Sequence, residues 1–126
     1  MTANWGYENR STAVRIPGGD HRAMRIEHRV AGADTNPYLT VAAILAGALY
    51  GIENKLQAPP AVVGDAGDIK PTLPHFWNDA IGVFENSSFI KEYLSEELQT
   101  NYALCKREEK HEFDSRVTLM EYDAYL

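Results

Sequence analysis

By its pattern of apolar and polar positions the chain divides into three zones. In residues 11–30 two short stretches, "STAVRI" and "MRIEHRV", alternate apolar with polar positions, and "PGGDHR" between them has the proline and paired glycines of a connecting loop. The simplest arrangement is an antiparallel hairpin. Alternation puts Ala13 and Arg15 on one face of the first strand and Val14 and Ile16 on the other. On the second strand Arg25, Glu27 and Arg29 form a row opposite Ile26, His28 and Val30. If the apolar faces coincide, Arg15, Arg25, Glu27 and Arg29 project to the same side.

The second zone opens with "ADTNPYL". Asp34, Thr35 and Asn36 are N-cap candidates and Pro37 suits the first helical position, so a helix is predicted over 37–56. Its apolar run, "YLTVAAILAGALYGI", is shorter than the ~20 residues a bilayer span requires. It therefore reads as a buried core helix, with small residues that let neighbours pack closely on both sides. The segment "QAPPAVVGDAGDIKPTLP" holds four of the six prolines and reads as a long loop inside one domain, because the halves on either side are too small to stand alone. Beyond it, helices are predicted over 75–86 and 88–117. Phe76, Ala80, Val83 and Phe84 would form the apolar face of the first, and Ser87 or Ser88 would cap the next. Leu98, Tyr102 and Cys105 would make the buried stripe of the last, with Lys106, Arg107, Glu108, Glu109 and Lys110 on a solvated face of mixed sign. The fold class is α+β: an antiparallel hairpin followed by a C-terminal set of packed helices, in a single domain over residues 1–126.

Composition adds little except through charge. With 44% apolar and 24% charged residues the chain is an ordinary folded domain, not a disordered one. The net charge of −6 conceals an asymmetry: residues 1–29 hold five arginines against three acids, a surplus of +2, so the rest carries −8. So acidic a remainder disfavours nucleic acid, which needs a broad basic surface. All five basic residues of the N-terminal segment are arginines, the side chain suited to gripping carboxylate or phosphate through a fixed fork. A small phosphorylated or carboxylated ligand fits this balance. The single cysteine, Cys105, has no internal disulfide partner and reads as a buried apolar residue. "MTANWGYENR" lacks the pattern of an export leader, so the expected location is the cytoplasm, with no membrane partner.

Taken alone, the Arg25–Glu27–Arg29 row is either a surface ion ladder, whose exposed pairs contribute roughly 0–1 kcal/mol each, or a ligand site. Three features favour a site. Two arginines around one glutamate leave positive charge for a ligand to balance. Arg10 and Arg15 approach the same region from an adjacent strand. A carboxylate held among arginines stays ionised and is able to ligate a hard cation such as Mg2+, which completes its shell with phosphate and water. These are parts of a phosphoryl-transfer site, where catalysis is mostly positioning and charge neutralisation, but the set is incomplete.

"NRSTAVRIP", then "RIEHR", then "NPYL" with "AAILAGALYGIENKL" behind it, in this order and spacing, closely resembles the C-terminal part of the glutamine synthetase catalytic domain. The likeness runs on through Leu73 and Pro74, "YALCKREEKHEF" and "VTLMEYDAYL", which look like the tail of the subgroup that includes gamma-glutamylputrescine synthetase. The resemblance implies an ATP-dependent ligase using Mg2+ or Mn2+. In it a glutamate side-chain carboxylate takes the terminal phosphoryl of ATP, and ammonia or an amine then displaces phosphate from the acyl phosphate. It implies that Arg10 contacts ATP and the acyl substrate, Arg15 the ATP phosphates and Arg25 the nucleotide. Glu27 would ligate a catalytic divalent ion, and Arg29 would bind the substrate and the transferring phosphoryl group; Arg10 and Arg29 are thus the catalytic candidates. Relatives assemble into rings with active sites between subunits, so the implied partners include further copies or full-length subunits of the family.

The resemblance also marks what is not here. The N-terminal beta-grasp domain, most of the barrel, the remaining metal carboxylates, the metal-binding histidine and the ammonia-site acid have no counterpart in these residues. The chain is therefore expected to be a truncated gene product or a C-terminal piece of a longer enzyme, inactive alone, because one glutamate cannot make a tight Mg2+ site. The regulatory tyrosine of some bacterial members has no counterpart in "VVGDAGDIKP", where Gly67 stands near its place. The alternative is a noncatalytic nucleotide-binding or subunit-interaction module. The remaining candidates carry plain readings: His28 packed on the apolar face of its strand, His21 and Arg22 in the hairpin loop, His75 and His111 on helices without a second metal ligand, and Trp5 a core anchor. Exposed strand edges predict self-association through the sheet.

Overall fold

A computed structural model describes residues 2–125, and within them the alternating segments form a small mixed sheet. β2 (Val14–Ile16) pairs antiparallel with β3 (Glu27–His28), with Val14 opposite His28 and Arg15 opposite Glu27, which is the hairpin the alternation predicts. A third strand was not predicted. β1 (Trp5–Tyr7) lies parallel to β2, Trp5 opposite Val14 and Tyr7 opposite Ile16, so β2 is central. The strand escaped notice because it is three residues long and centred on Gly6, giving almost no alternation to read. A tight turn returns the chain from β1 to β2. Thr12, fully buried, has its hydroxyl 2.9 Å from the carbonyls of both Asn9 and Val14 and closes that turn.

The chain divides into two units at Leu73 and Pro74. In the first, α1 (Pro37–Glu53) begins as its capping signal predicts. Asn36 Oδ1 accepts from the backbone N–H groups of Tyr38 (3.0 Å) and Leu39 (3.3 Å), with Pro37 at the first helical position. The helix ends three residues before the predicted Leu56, where Lys55 adopts a left-handed φ of 50°. The expectation of a buried core helix is not met. Only Ala46 is buried, while Tyr38, Val41, Leu45, Leu49 and Ile52 are exposed, because the described residues of this unit do not cover them. The long proline-containing loop packs back on the sheet instead: the Trp5 indole N–H donates to the Pro59 carbonyl (2.7 Å) and the Val62 N–H to the Trp5 carbonyl (2.9 Å). Trp5 is half-buried and anchors this loop. His28, expected to be packed, is exposed, since it stands at open clefts shared with Val30 and Ile44 of α1 on one side and with Pro59 and Leu73 on the other.

The second unit is helical, with α2 (Trp77–Glu85), α3 (Ser88–Leu94), α4 (Glu96–Asp114) and α5 (Leu119–Tyr125). The predicted helix over 75–86 starts at Trp77, so His75 lies in the loop before it. Its buried side is also different: Ile81 is buried and Phe84 half-buried, whereas Phe76 and Val83 face solvent. Trp77, Ile81 and Phe84, spaced i, i+4, i+7, are the residues that turn toward α4. The predicted helix over 88–117 is broken at Ser95, whose φ of 81° ends α3 and whose hydroxyl caps α4 by accepting from the Leu98 N–H at 3.3 Å. Ser95 followed by Glu96 and Glu97 is a helix-start signal that the apolar periodicity overrode. On α4 the buried residues are Gln99 and Ala103, Leu98 and Tyr102 of the expected stripe are half-buried with Tyr102 against Phe84, and Cys105 is exposed, which corrects its place in that stripe. Two residues beyond Ala103 the helix has turned more than half a circle away from the contact side. The observed architecture is α+β with a C-terminal set of helices, as the sequence reading holds. Among the described residues no helix is long and apolar enough to cross a membrane.

Candidate functional site

The five candidate residues all belong to the sheet and the turns beside it. Register brings Arg15 and Glu27 opposite each other, and Arg15 Nη1 donates to Glu27 Oε2 at 2.9 Å. Arg25, just ahead of β3, reaches forward two residues, its Nη2 donating to Glu27 Oε1 at 2.8 Å and its Nε at 3.2 Å. Glu27 thus spends both oxygens on arginines. These contacts, Arg15 first, hold its carboxyl below the ordinary carboxylate value and outweigh the opposing effect of desolvation. Arg15 is the most enclosed of the group, its side chain 12% exposed, with a buried Nε that has no partner.

Arg29 continues the ladder: its backbone N–H donates to the Ala13 carbonyl at 2.9 Å, and the alternation from Glu27 places it on the same face. Arg10 sits in the turn between β1 and β2, and that turn is tied down on either side of it. Asn9 Nδ2 donates to the carbonyls of Val62 (3.2 Å) and Gly64 (2.8 Å), and Asn9 Oδ1 accepts from the N–H and hydroxyl of Ser11. The Ala66 N–H in turn donates to the Ser11 hydroxyl at 2.8 Å. An open cleft of about 320 Å³ lies beside Arg10, between Glu8 and the 61–64 loop. Among the described residues neither Arg10 nor Arg29 enters an ion pair, so both guanidinium groups have donors to offer.

Glu8, which the sequence reading passed over, belongs to this cluster. Its Oε2 accepts from Arg15 Nη2 at 2.7 Å and its Oε1 from the Gly18 N–H. The Gly18 contact, followed by the Arg15 hydrogen bond, keeps the Glu8 carboxyl lowered, while the two carboxylates keep the Arg15 guanidinium raised. This changes the charge argument. Glu8 and Glu27 balance Arg15 and Arg25, and the surplus positive charge resides in Arg10 and Arg29. A usable signal was Glu8's position, one residue past the end of β1 and seven before Arg15, but it became readable only once β1 was known.

A divalent ion is not accommodated by the described residues alone. Both Glu27 oxygens are taken by arginines, and among the described residues no three His, Cys, Asp or Glu side chains form a group able to hold a metal. A polyphosphate is better matched, because Arg10 and Arg29 enter no ion pair among the described residues while Arg15 is held in place by Glu8 and Glu27.

A family model described as glutamine synthetase, catalytic domain, matches residues 1–125. The chain is 40% identical over 125 residues to gamma-glutamylputrescine synthetase PuuA of Escherichia coli, covering 98% of this chain and 26% of that protein. It is 36% identical over 128 residues to glutamate–isopropylamine ligase of a Pseudomonas species, with 98% and 28% covered. Against type-1 glutamine synthetase 2 of Dictyostelium discoideum the identity is 35% over 131 residues, with 99% and 25% covered. The chain spans about a quarter of the length of these relatives.

Proposed function

The chain belongs to the glutamine synthetase catalytic-domain family, and from that premise we propose that it supplies the nucleotide- and phosphoryl-facing arginine row of an ATP-dependent ligase joining glutamate to an amine. The observation that carries this reading is the register of Arg15 against Glu27, which fixes one guanidinium between carboxylates and leaves Arg10 and Arg29 with free donors around it. ATP would supply the transferable phosphoryl group. Arg15 and Arg25 would orient its phosphates, and Arg10 and Arg29 would offset charge on the acyl substrate and on the group in transfer.

The bond changes fit that equipment. The glutamate side-chain carboxylate attacks the terminal phosphorus with loss of ADP, and the amine nitrogen then attacks the acyl carbon, expels phosphate and gives up a proton. The first step gathers anionic oxygens in one place, and fixed cations lower its barrier. Glu27 is the proposed ligand for Mg2+ or Mn2+, through the lone pairs its arginine contacts leave over, with the remaining ligands coming from outside these residues because no three carboxylate, imidazole or thiol side chains gather among the described residues. Two of the relatives are named for the joining of glutamate or a glutamyl group to putrescine and to isopropylamine. A primary amine, or ammonia, is the proposed acceptor here. The proposed setting is the cytoplasm, within a homo-oligomer or beside longer subunits, and residues 1–126 are proposed to act as a single C-terminal part of the catalytic domain without turnover of their own.

A second reading, a noncatalytic module that docks on other subunits, is favoured by one observation: Met24, Ile26 and Val30 of the hairpin are exposed. Calorimetric titration with a non-hydrolysable ATP analogue and Mg2+, on the unaltered chain and on Arg15→Ala and Glu27→Ala, tests the first reading. Saturable binding weakened by both substitutions supports it, and equal binding by all three proteins overturns it. No binding by the unaltered chain makes the row part of a site completed by other residues.

A further inference from the structure

We propose that Glu8 is a positioning residue: it clamps the Arg15 guanidinium from the side opposite Glu27 and so sets the direction in which Arg15 presents its remaining donors to phosphate. This rests on the nucleotide reading of the row and assigns Glu8 its part in it. The backbone at Glu8 is in the left-handed region, φ 51°, which a residue with a Cβ enters only when its surroundings hold it there. The Glu8 N–H donates to the Ile16 carbonyl at 3.0 Å, which anchors that conformation. Its carboxylate then bridges Arg15 Nη2 and the Gly18 N–H, so the strand end and the loop after β2 are pinned by one side chain. Gly18 permits this approach, because a Cβ there would stand 3.2 Å from Glu8 Oε1.

The consequence for Arg15 is geometric. One hydrogen on each terminal nitrogen is committed, to Glu8 at 2.7 Å and to Glu27 at 2.9 Å, and the planar fork is held at both ends. A guanidinium held at one end pivots about that contact, but one held at both does not. Its uncommitted N–H groups therefore point in fixed directions before any ligand arrives, which reduces the ordering that binding requires. Glu8 also divides the labour of the row. With Arg15 and Arg25 neutralised by Glu8 and Glu27, Arg15 contributes direction, while Arg10 and Arg29 contribute net charge. Glu8 is more exposed than Glu27, 58% against 25%, and in its absence the enclosed Arg15 keeps its pair with Glu27, so the fold is assessed separately from the clamp.

The test is nitrogen-detected NMR of the arginine guanidinium groups in the whole 126-residue chain, comparing wild type with Glu8→Ala and Glu8→Gln. The Arg15 Nη signals are expected to be resolved in wild type, averaged by free rotation in Glu8→Ala, and partly restored in Glu8→Gln, which keeps one acceptor. Backbone amide signals away from residues 8–18 are expected to be unchanged in both variants and report the fold. Arg15 signals averaged already in wild type, or unaltered in Glu8→Ala, overturn the proposal. Titration with Mg2+ and the ATP analogue separates it from the reading beneath it. Affinity falling about tenfold in Glu8→Ala, the size of one charge-assisted hydrogen bond, supports both. Equal affinity despite a freed Arg15 overturns the positioning role. If wild type binds no nucleotide while Arg15 responds as expected, the clamp stands and the nucleotide reading of the isolated row falls.

Discussion

Arg15 and Glu27 stand directly opposite in the β2–β3 ladder, joined by a 2.9 Å contact between Nη1 and Oε2, so a side-chain ion pair and the strand register specify each other. A slip of one residue would turn either side chain to the other face and break the pair.

That mutual dependence predicts a coupled effect on unfolding. Glu27→Ala leaves Arg15 Nη1 without its acceptor beside an Nε that already lacks one, and Arg15→Ala leaves Glu27 with only the more exposed Arg25. Both single variants should lower the urea midpoint followed by Trp5 fluorescence in a Trp77→Phe background. The double variant should fall short of the sum of the two. Strict additivity would mean that the pair is a bystander to register.

Gly6 is predicted to be intolerant of a single added carbon. A Cβ there would stand 2.9 Å from the Val62 carbonyl and from Asn9 Cβ, and 3.3 Å from Thr12 Cγ2. The carbonyl is backbone, and Asn9 holds the turn that carries Arg10, so relief displaces the 62–64 loop or that turn. Gly6→Ala should cost about 1–3 kcal/mol, the usual range for overpacking. It should also shift Trp5 emission to the red as the Val62 N–H to Trp5 carbonyl bond opens. An unchanged midpoint and spectrum would show that the loop yields freely.

In the helical unit the predicted weak point is Gln99, 5% exposed, whose amide donates to the carbonyls of Phe84 at 2.7 Å and Ser87 at 2.8 Å. These carbonyls, at the end of α2 and at the cap of α3, also accept the Ser87 N–H at 3.2 Å and the Lys91 N–H at 3.1 Å, so the Gln99 amide takes their second acceptor positions and ties both helix ends to α4. Gln99→Leu keeps the bulk but removes both amide hydrogen bonds, and should cost about 1–3 kcal/mol. Gln99→Glu should cost more, since an ionised carboxylate would face two acceptors. Urea titration read through Trp77 fluorescence in a Trp5→Phe background checks the order of the two variants.

Particular residues show why some of this was legible in the sequence and some was not. Asn36 and Pro37 announce α1 because capping is local chemistry, and the Arg15–Glu27 face follows from a period of two. β1 was invisible because its hydrogen bonds come from a neighbour nine positions along, and with it went Glu8, whose role depends on that pairing. Cys105 was misassigned because α4 carries apolar residues on more than one side, and only packing against α2 chooses among them. Exposed α1 shows a different limit. An apolar helix states that it has something to bury against, but not that the partner lies within the same residues.

The last prediction concerns α5, where the "TLME" sequence forms a reciprocal cap. Glu121 Oε2 accepts from the Thr118 N–H at 2.8 Å and hydroxyl at 2.9 Å, and the Glu121 N–H donates to the Thr118 hydroxyl at 3.3 Å. The backbone hydrogen bond, with the hydroxyl second, lowers the Glu121 carboxyl from its ordinary value of 4.5. A carboxyl lowered in the folded state stabilises that state wherever the unfolded form is ionised, so the cap contributes fully above about 4.5. That contribution declines as pH falls below this value and is gone once pH has passed the lowered folded value. The α5 amide shifts of residues 119–125 should therefore hold steady from pH 7 down to the ordinary carboxylate range and move toward coil values only on further acidification. Glu121→Gln retains an acceptor for the Thr118 groups but has no proton to take up, so its α5 shifts should lose this acid transition. A transition centred above 4.5, or one that survives Glu121→Gln, would assign the end of the chain to some other group.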